Sequence, residues 1–246
     1  MGISHEIIDG VGEVVIDVPP VNALNVKSWF ALADVVHALG DYEAVRVVVL
    51  RAEGRGFCAG VDIKELQNDA DRHAIIGVNR GCHAAFKAVY ECAVPVVCAI
   101  HGFCLGGGIG LAGNADVIVA SRDARFGLPE VDRGALGAAT HLARLVPQHK
   151  MRAMVYTATT VTADELHAFG SVLKVVETRE ELRDAAMAVA HDIASKHPTI
   201  IRRAKESLNG IDPVDVNRSY RFEQGFTFEL NLGGVADDVR DTFGEK

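Results

Sequence analysis

The sequence lacks the marks of several protein classes. Its five cysteines are odd in number and none falls in a C-x-x-C pair. A disulfide framework and a structural zinc site are therefore not expected, and a reducing cytoplasm is the expected setting. No apolar run is long enough to cross a bilayer. The first residues, MGISHEIIDGVGEVVIDVPP, lack a charged-then-apolar leader pattern. Asn217-Arg-Ser is a formal glycosylation sequon, which carries little weight without such a leader. No block of like charge, internal repeat or low-complexity segment is evident. With a net charge of −8, neither nucleic acid nor an anionic membrane is an expected partner.

What is present suits one soluble domain with a helical extension. The 246 residues are 49% hydrophobic and 24% charged, enough to build a sizeable core. Gly12–Val18, Val45–Leu50, Val94–Ile100, Asp116–Ala120 and Val172–Val176 read as strands. The segments Val26–Leu39 and Ile75–Tyr90 have helical period. Strands alternating with helices predict an α/β core, largely parallel, over residues 1–178. From 179 to 246 the pattern is helical only: Glu180–Ser195, Pro198–Leu208 and Pro213–Phe243.

One stretch invites a wrong reading. Gly108-Ile-Gly-Leu-Ala-Gly113 is a literal G-x-G-x-x-G that follows a β-branched run, with Glu130 downstream. A dinucleotide fingerprint belongs on the first strand-to-helix turn, however, and its acid should end a second strand. Here at least two strands come first, and Glu130 follows a proline in an expected loop. A second glycine-rich loop, Gly54 to Lys64, also leaves the end of a buried strand. Two such loops together can aim two backbone N–H groups at one point, which makes an oxyanion hole.

Four motifs in order, Asn22-Ala-Leu-Asn25, Phe57-Cys-Ala-Gly-Val-Asp-Ile-Lys64, His101-Gly-Phe-Cys-Leu-Gly-Gly-Gly-Ile-Gly110 and Phe126-Gly-Leu-Pro-Glu130, resemble the crotonase, or enoyl-CoA hydratase/isomerase, family over nearly the whole chain. The resemblance implies a spiral of ββα units, a C-terminal helical region that forms a homotrimer or a hexamer of two trimers, and an acyl-CoA substrate. Coenzyme A would arrive as part of that substrate, so no separate cofactor and no metal are expected. By position, the oxyanion hole falls on the N–H groups of Val61 and Gly107, where the missing Cβ is expected to let a thioester approach. CoA contacts fall on Ala59, Val61, Asp62 and Ile63, with Lys64 a candidate phosphate contact. Phe243 and Lys246 match C-terminal residues that reach a neighbouring subunit's CoA.

The chain also departs from the pattern. A hydratase of this family holds its water between two glutamates; Gly110 stands at the first position and Glu130 at the second. Hydration by paired carboxylates is broken, and Gly110 is expected to free room for a bulky acyl group. His141, early in a helix, is a second acid/base candidate, although a structural histidine is the commoner case. Glu223 is a further reserve candidate, although it reads better as a plain helix surface residue; Asp132 and Arg133 read as a surface pair, and Cys58 and Cys104 as packing residues. Asn79-Arg-Gly-Cys82, Tyr90–Pro95, Arg133–His141 and Glu223–Asn231 resemble the family's actinobacterial branch that opens the last steroid ring in cholesterol breakdown. That implies retro-Claisen hydrolysis of a bicyclic, cyclic β-dicarbonyl CoA thioester, with Glu130 as acid/base group. An isomerase or atypical hydratase using Glu130 alone, and an inactive CoA-binding trimer, remain as alternatives.

Overall fold

The computed structural model describes residues 2–67 and 73–241. Its frame is a six-stranded sheet in the order β1-β2-β4-β6-β8-β11. Strand β1 (Gly2–Ile8) pairs antiparallel with β2 (Val11–Asp17) through a two-residue turn, Asp9-Gly10, in which both φ angles are positive. The sequence reading missed β1. It is an edge strand with four consecutive exposed residues, so its side chains carry no alternation.

Strands β4 (Val47–Ala52), β6 (Val96–Ile100), β8 (Val117–Ser121) and β11 (Lys174–Val176) continue the sheet in parallel. Val47 to Leu50 and Val96 to Ile100 are buried throughout, which is why they read as unbroken β-branched runs. One face of the sheet is covered by helix α1 (Val26–Asp41), which Asn25 caps by accepting the Ser28 N–H at 2.8 Å. Trp29, Leu32, Val36 and Leu39 repeat at helical spacing on its buried side.

After β2, β4, β6 and β8 the chain turns into a short second strand: β3 (Ala23–Leu24), β5 (Gly60–Val61), β7 (Phe103–Leu105) and β9 (Arg125–Gly127) respectively. Strand β3 pairs with β5, and β7-β9-β10 (Thr160–Thr162) form a three-stranded sheet; a bridge between Cys58 and Cys104 joins the two. Helices α2 (Ile63–Gln67), α3 (His73–Tyr90) and α4 (Gly107–Ala112) return the chain to the next turn. Strand, strand, helix, repeated, is the spiral the resemblance implied.

A 3-10 turn, Glu130–Arg133, follows β9, and then come α5 (Ala139–Leu142), α6 (Gln148–Thr157) and α7 (Ala163–Ala168). Helix α8 (Leu182–Ala194) covers the other face of the main sheet with small residues, Ala185, Ala186 and Ala190. The last helices are α9 (Pro198–Gly210), α10 (Val216–Leu232) and α11 (Val235–Asp241). The expected single helix over Pro213–Phe243 is broken at Gly233-Gly234, where Gly234 takes φ +82°. Among the described residues, no helix is long and apolar enough to cross a membrane.

Candidate active site

Two strand ends build the site. Asn22 donates to Glu53 O and Gly56 O, each at 2.8 Å, and so pins the loop that enters β5. That loop is laced to the next turn of the spiral: Phe57 N–H to His101 O, Cys58 N–H to Phe103 O, and Leu105 N–H to Cys58 O at 2.9 Å. The lacing presses Gly60 against Gly106 and Gly107. Gly60 has φ +94°, and a Cβ there would stand 3.0 Å from the Gly107 nitrogen. Val61 and Gly107 thus share one wall of a cleft. Gly107 is the first residue of α4, so its N–H has no acceptor within the helix.

The cleft encloses about 840 Å³ of non-atom space, open solvent at its mouth included. Its apolar side comes from α3, through Ile75, Val78, Cys82 and Phe86, and from Tyr220 of α10. Glu130 stands opposite, with Oε1 2.7 Å from where a Cβ on Gly106 would lie. Oε2 is buried and has no hydrogen-bond partner. Burial, reinforced by the charge of Glu223, pushes the Glu130 carboxyl up to about 8; its own backbone N–H and Arg133 oppose the shift. A donor wall facing one carboxyl of near-neutral pKa suits an enolate and a single proton carrier.

This pairing of glycine loops with one acid agrees with a family match. The enoyl-CoA hydratase/isomerase model covers residues 6–224. The chain belongs to that family. A Rhodococcus jostii protein, "(7aS)-7a-methyl-1,5-dioxo-2,3,5,6,7,7a-hexahydro-1H-indene-carboxyl-CoA hydrolase", is 64% identical over 96% of this chain and 92% of its own. The protein of that name from Mycobacterium tuberculosis is also 64% identical, over 96% of each chain. An enoyl-CoA hydratase/isomerase from Pseudoalteromonas atlantica superposes with a TM-score of 0.87 at 25% identity, covering 100% of this chain and 97% of that one.

Several expectations for this family member need correction. Gly107 does not open room for a ligand: a Cβ there would meet the Trp29 indole at 2.7 Å. Gly110 is not open space either. The Phe86 ring fills it, 2.1 Å from where a Cβ would stand. Gly108 and Gly113 would likewise meet Cys58 O at 2.7 Å and His141 O at 2.4 Å. The glycines of the false fingerprint let α4 sink into the core, and none of the three lines the cleft.

His141 does not line the cleft. It is fully buried behind the wall, its ring 5.0 Å from Phe86 and 4.9 Å from Tyr220. Neither ring nitrogen has a partner, and burial first, then Arg144 and His83, hold the imidazole down at about 3. Glu223 is not a surface residue. It accepts from Ala139 N–H at 2.8 Å, Thr140 N–H at 2.7 Å and the Thr140 hydroxyl. Arg133 lines the cleft, while Asp132 is exposed. Cys58 and Cys104 are buried packing residues with thiols pushed up, Cys58 to about 12.

Of the expected CoA contacts, Ala59, Val61 and Ile63 line the cleft. Asp62 accepts from Lys64 N–H at 3.0 Å, and the Lys64 side chain is exposed. Phe243 and Lys246 lie outside the described residues. Sequence reasoning missed the lining residues Phe86, Tyr220 and Thr227. A signal existed for the last two: Tyr220, Glu223, Gln224, Thr227 and Asn231 form a polar stripe at helical spacing, alongside an apolar Phe222 and Phe226.

Proposed function

We propose that this protein is a hydrolase that opens a ring of a cyclic β-dicarbonyl, steroid-derived CoA thioester by retro-Claisen cleavage. The observation that carries the reading is the 64% identity, over 96% of the chain, to two hydrolases of a bicyclic hexahydroindene-carboxyl-CoA. Ionised Glu130 takes a proton from water as the water oxygen attacks the ring ketone. The bond from that carbon to the thioester α-carbon breaks, and its electron pair becomes the thioester enolate. The N–H groups of Val61 and Gly107 hold the enolate oxygen, each supplying about 3–4 kcal/mol. Glu130 then gives its proton to the α-carbon. One water is consumed, and the ring ketone leaves as a carboxylic acid on the opened chain. No separate cofactor enters these steps.

The apolar α3 wall suits a compact bicyclic acyl group. Backbone at Ala59, Val61, Asp62 and Ile63, with Lys64, Phe243 and Lys246, completes CoA binding in this reading, and His141 stays out of the chemistry. Exposed apolar side chains on the C-terminal helices, Ile200, Leu208, Ile211 and Phe222 among them, support a homotrimer or hexamer. Five buried, unpaired thiols support a reducing cytoplasm.

Incubating the enzyme with a bicyclic diketo-CoA in labelled water tests the proposal. The expected product carries one added water and one labelled oxygen in the new carboxylate. Vigorous hydration of a short enoyl-CoA, with no ring opening, would overturn it.

A further inference from the structure

Helix α10 holds the segment that follows Glu130, and it does so with side chains that no step of the reaction uses. The segment needs holding. Gly134, Gly137 and Ala138 have φ of +64°, +145° and +60°, so three of its residues sit where the backbone has little preference or is strained. Helix α5 starts at Ala139 after an N-cap, Ala138, that has no side-chain acceptor to offer. Glu223 supplies the missing cap from another helix. Its Oε2 accepts from Ala139 N–H and its Oε1 from Thr140 N–H and the Thr140 hydroxyl. One turn further along α10, the Thr227 hydroxyl accepts from Leu136 N–H at 3.1 Å and donates to Leu136 O. Ala135 N–H closes back on Glu130 O at 3.0 Å.

The clamp also carries charge. Burial raises the Glu223 carboxyl above its ordinary value, and three converging donors pull it back toward the ionised form. That charge acts on Glu130. The other groups near Glu130 are Arg133, on its own turn, two buried neighbours, Cys82 of α3 and Tyr220 of α10, and Arg240 of α11, which lines the same cleft and pairs with Asp237 at 3.5 Å. Burial keeps the thiol and the phenol neutral, and the charges that act on the Glu130 carboxyl are Glu223, which raises it, and Arg133, which lowers it.

We infer that Glu223 is a positioning residue for Glu130: it fixes the segment that follows the acid and presents a negative charge to its carboxyl. The inference rests on Glu130 being the acid/base group, and its test reads that carboxyl directly. Glu130 is titrated in the ligand-free protein by infrared difference spectroscopy, its band assigned by loss in Glu130→Gln. In Glu223→Gln the midpoint moves acid by at least about half a pH unit. Thr227→Val, which loosens the clamp and keeps the charge, leaves the midpoint in place. Both variants lower ring-opening kcat by about 10-fold or more, with KM little changed.

An unmoved midpoint in Glu223→Gln overturns the inference, whatever happens to kcat. Should that variant fail to fold, Thr140→Val removes one donor to Glu223 and gives a smaller acid displacement; no displacement there counts equally against. An acid shift in a protein that opens no ring upholds the role of Glu223 and sinks the ring-opening reading instead.

Discussion

The Phe86 ring occupies the space a side chain at Gly110 would need: Cζ lies 2.1 Å from an ideal Cβ. The ring is fixed from three other sides, 5.6 Å from Trp29, 5.0 Å from His141 and 5.1 Å from Tyr220. Glycine on α4 and phenylalanine on α3 are one packing unit, and the ring is also a wall of the cleft.

Gly110→Ala should therefore destabilise the fold by about 1–3 kcal/mol, since the core has no room to give. Chemical denaturation of the variant, alone and with Phe86→Leu, checks this. The double variant should recover part of the loss. Simple addition of the two effects would mean that the residues are not coupled.

Glu130→Gln should lower kcat by about 10²–10⁴-fold while binding of the CoA thioester persists. The wild-type enzyme has a pH signature to match. In the proposed mechanism the base is the ionised Glu130 carboxyl, which burial raises to about 8. So kcat/KM should rise as pH is raised through about 8 and then level off. A profile flat from pH 6 to 9 would remove Glu130 as the base.

His141 should be a source of acid lability. Its folded-state pKa of about 3 lies below the ordinary 6.5, so between those values the unfolded chain binds the extra proton. Stability then falls as pH drops from about 6.5 toward 3, by at most about 5 kcal/mol from this group. His141→Leu, close in volume and without orphaned nitrogens, should flatten that slope. Urea melts of both proteins at pH 7 and pH 4.5 measure it; parallel losses would assign the lability elsewhere.

Gly107→Ala should lower kcat by about 10²–10³-fold, because the new methyl meets the Trp29 indole at 2.7 Å and must displace the donor. Trp29→Phe in the same protein should restore part of the rate. If kcat stays normal in the single variant, the Gly107 N–H is not an essential donor.

How much of this was legible depends on where each residue's partner lies. Strands β4 and β6 announce themselves because buried parallel strands must be β-branched on both faces. The two loops proposed to form the oxyanion hole show because each has glycine next to a strand end. Gly110 was legible as a missing acid and misread as space, because the ring that fills it belongs to a different helix. Glu223 was misread for the same reason: the N–H groups it caps are 83 and 84 positions away in sequence. Local pattern reports backbone demands; it is silent on which distant side chain meets them.

The ladder that joins Cys58 to Cys104 sets how this site can diversify. Val61 and Gly107 follow neighbouring strands of one hydrogen-bonded framework, whereas Glu130 sits on a single 3-10 turn, and side chains of α10 hold only the segment after it. The framework tolerates little drift, because a slip in one rung misaligns both donors at once. The turn can exchange residues without disturbing a rung. In the proposed mechanism, enolate stabilisation thus rests on the rigid part of the site, and the fate of the proton on the part a few substitutions can rewrite.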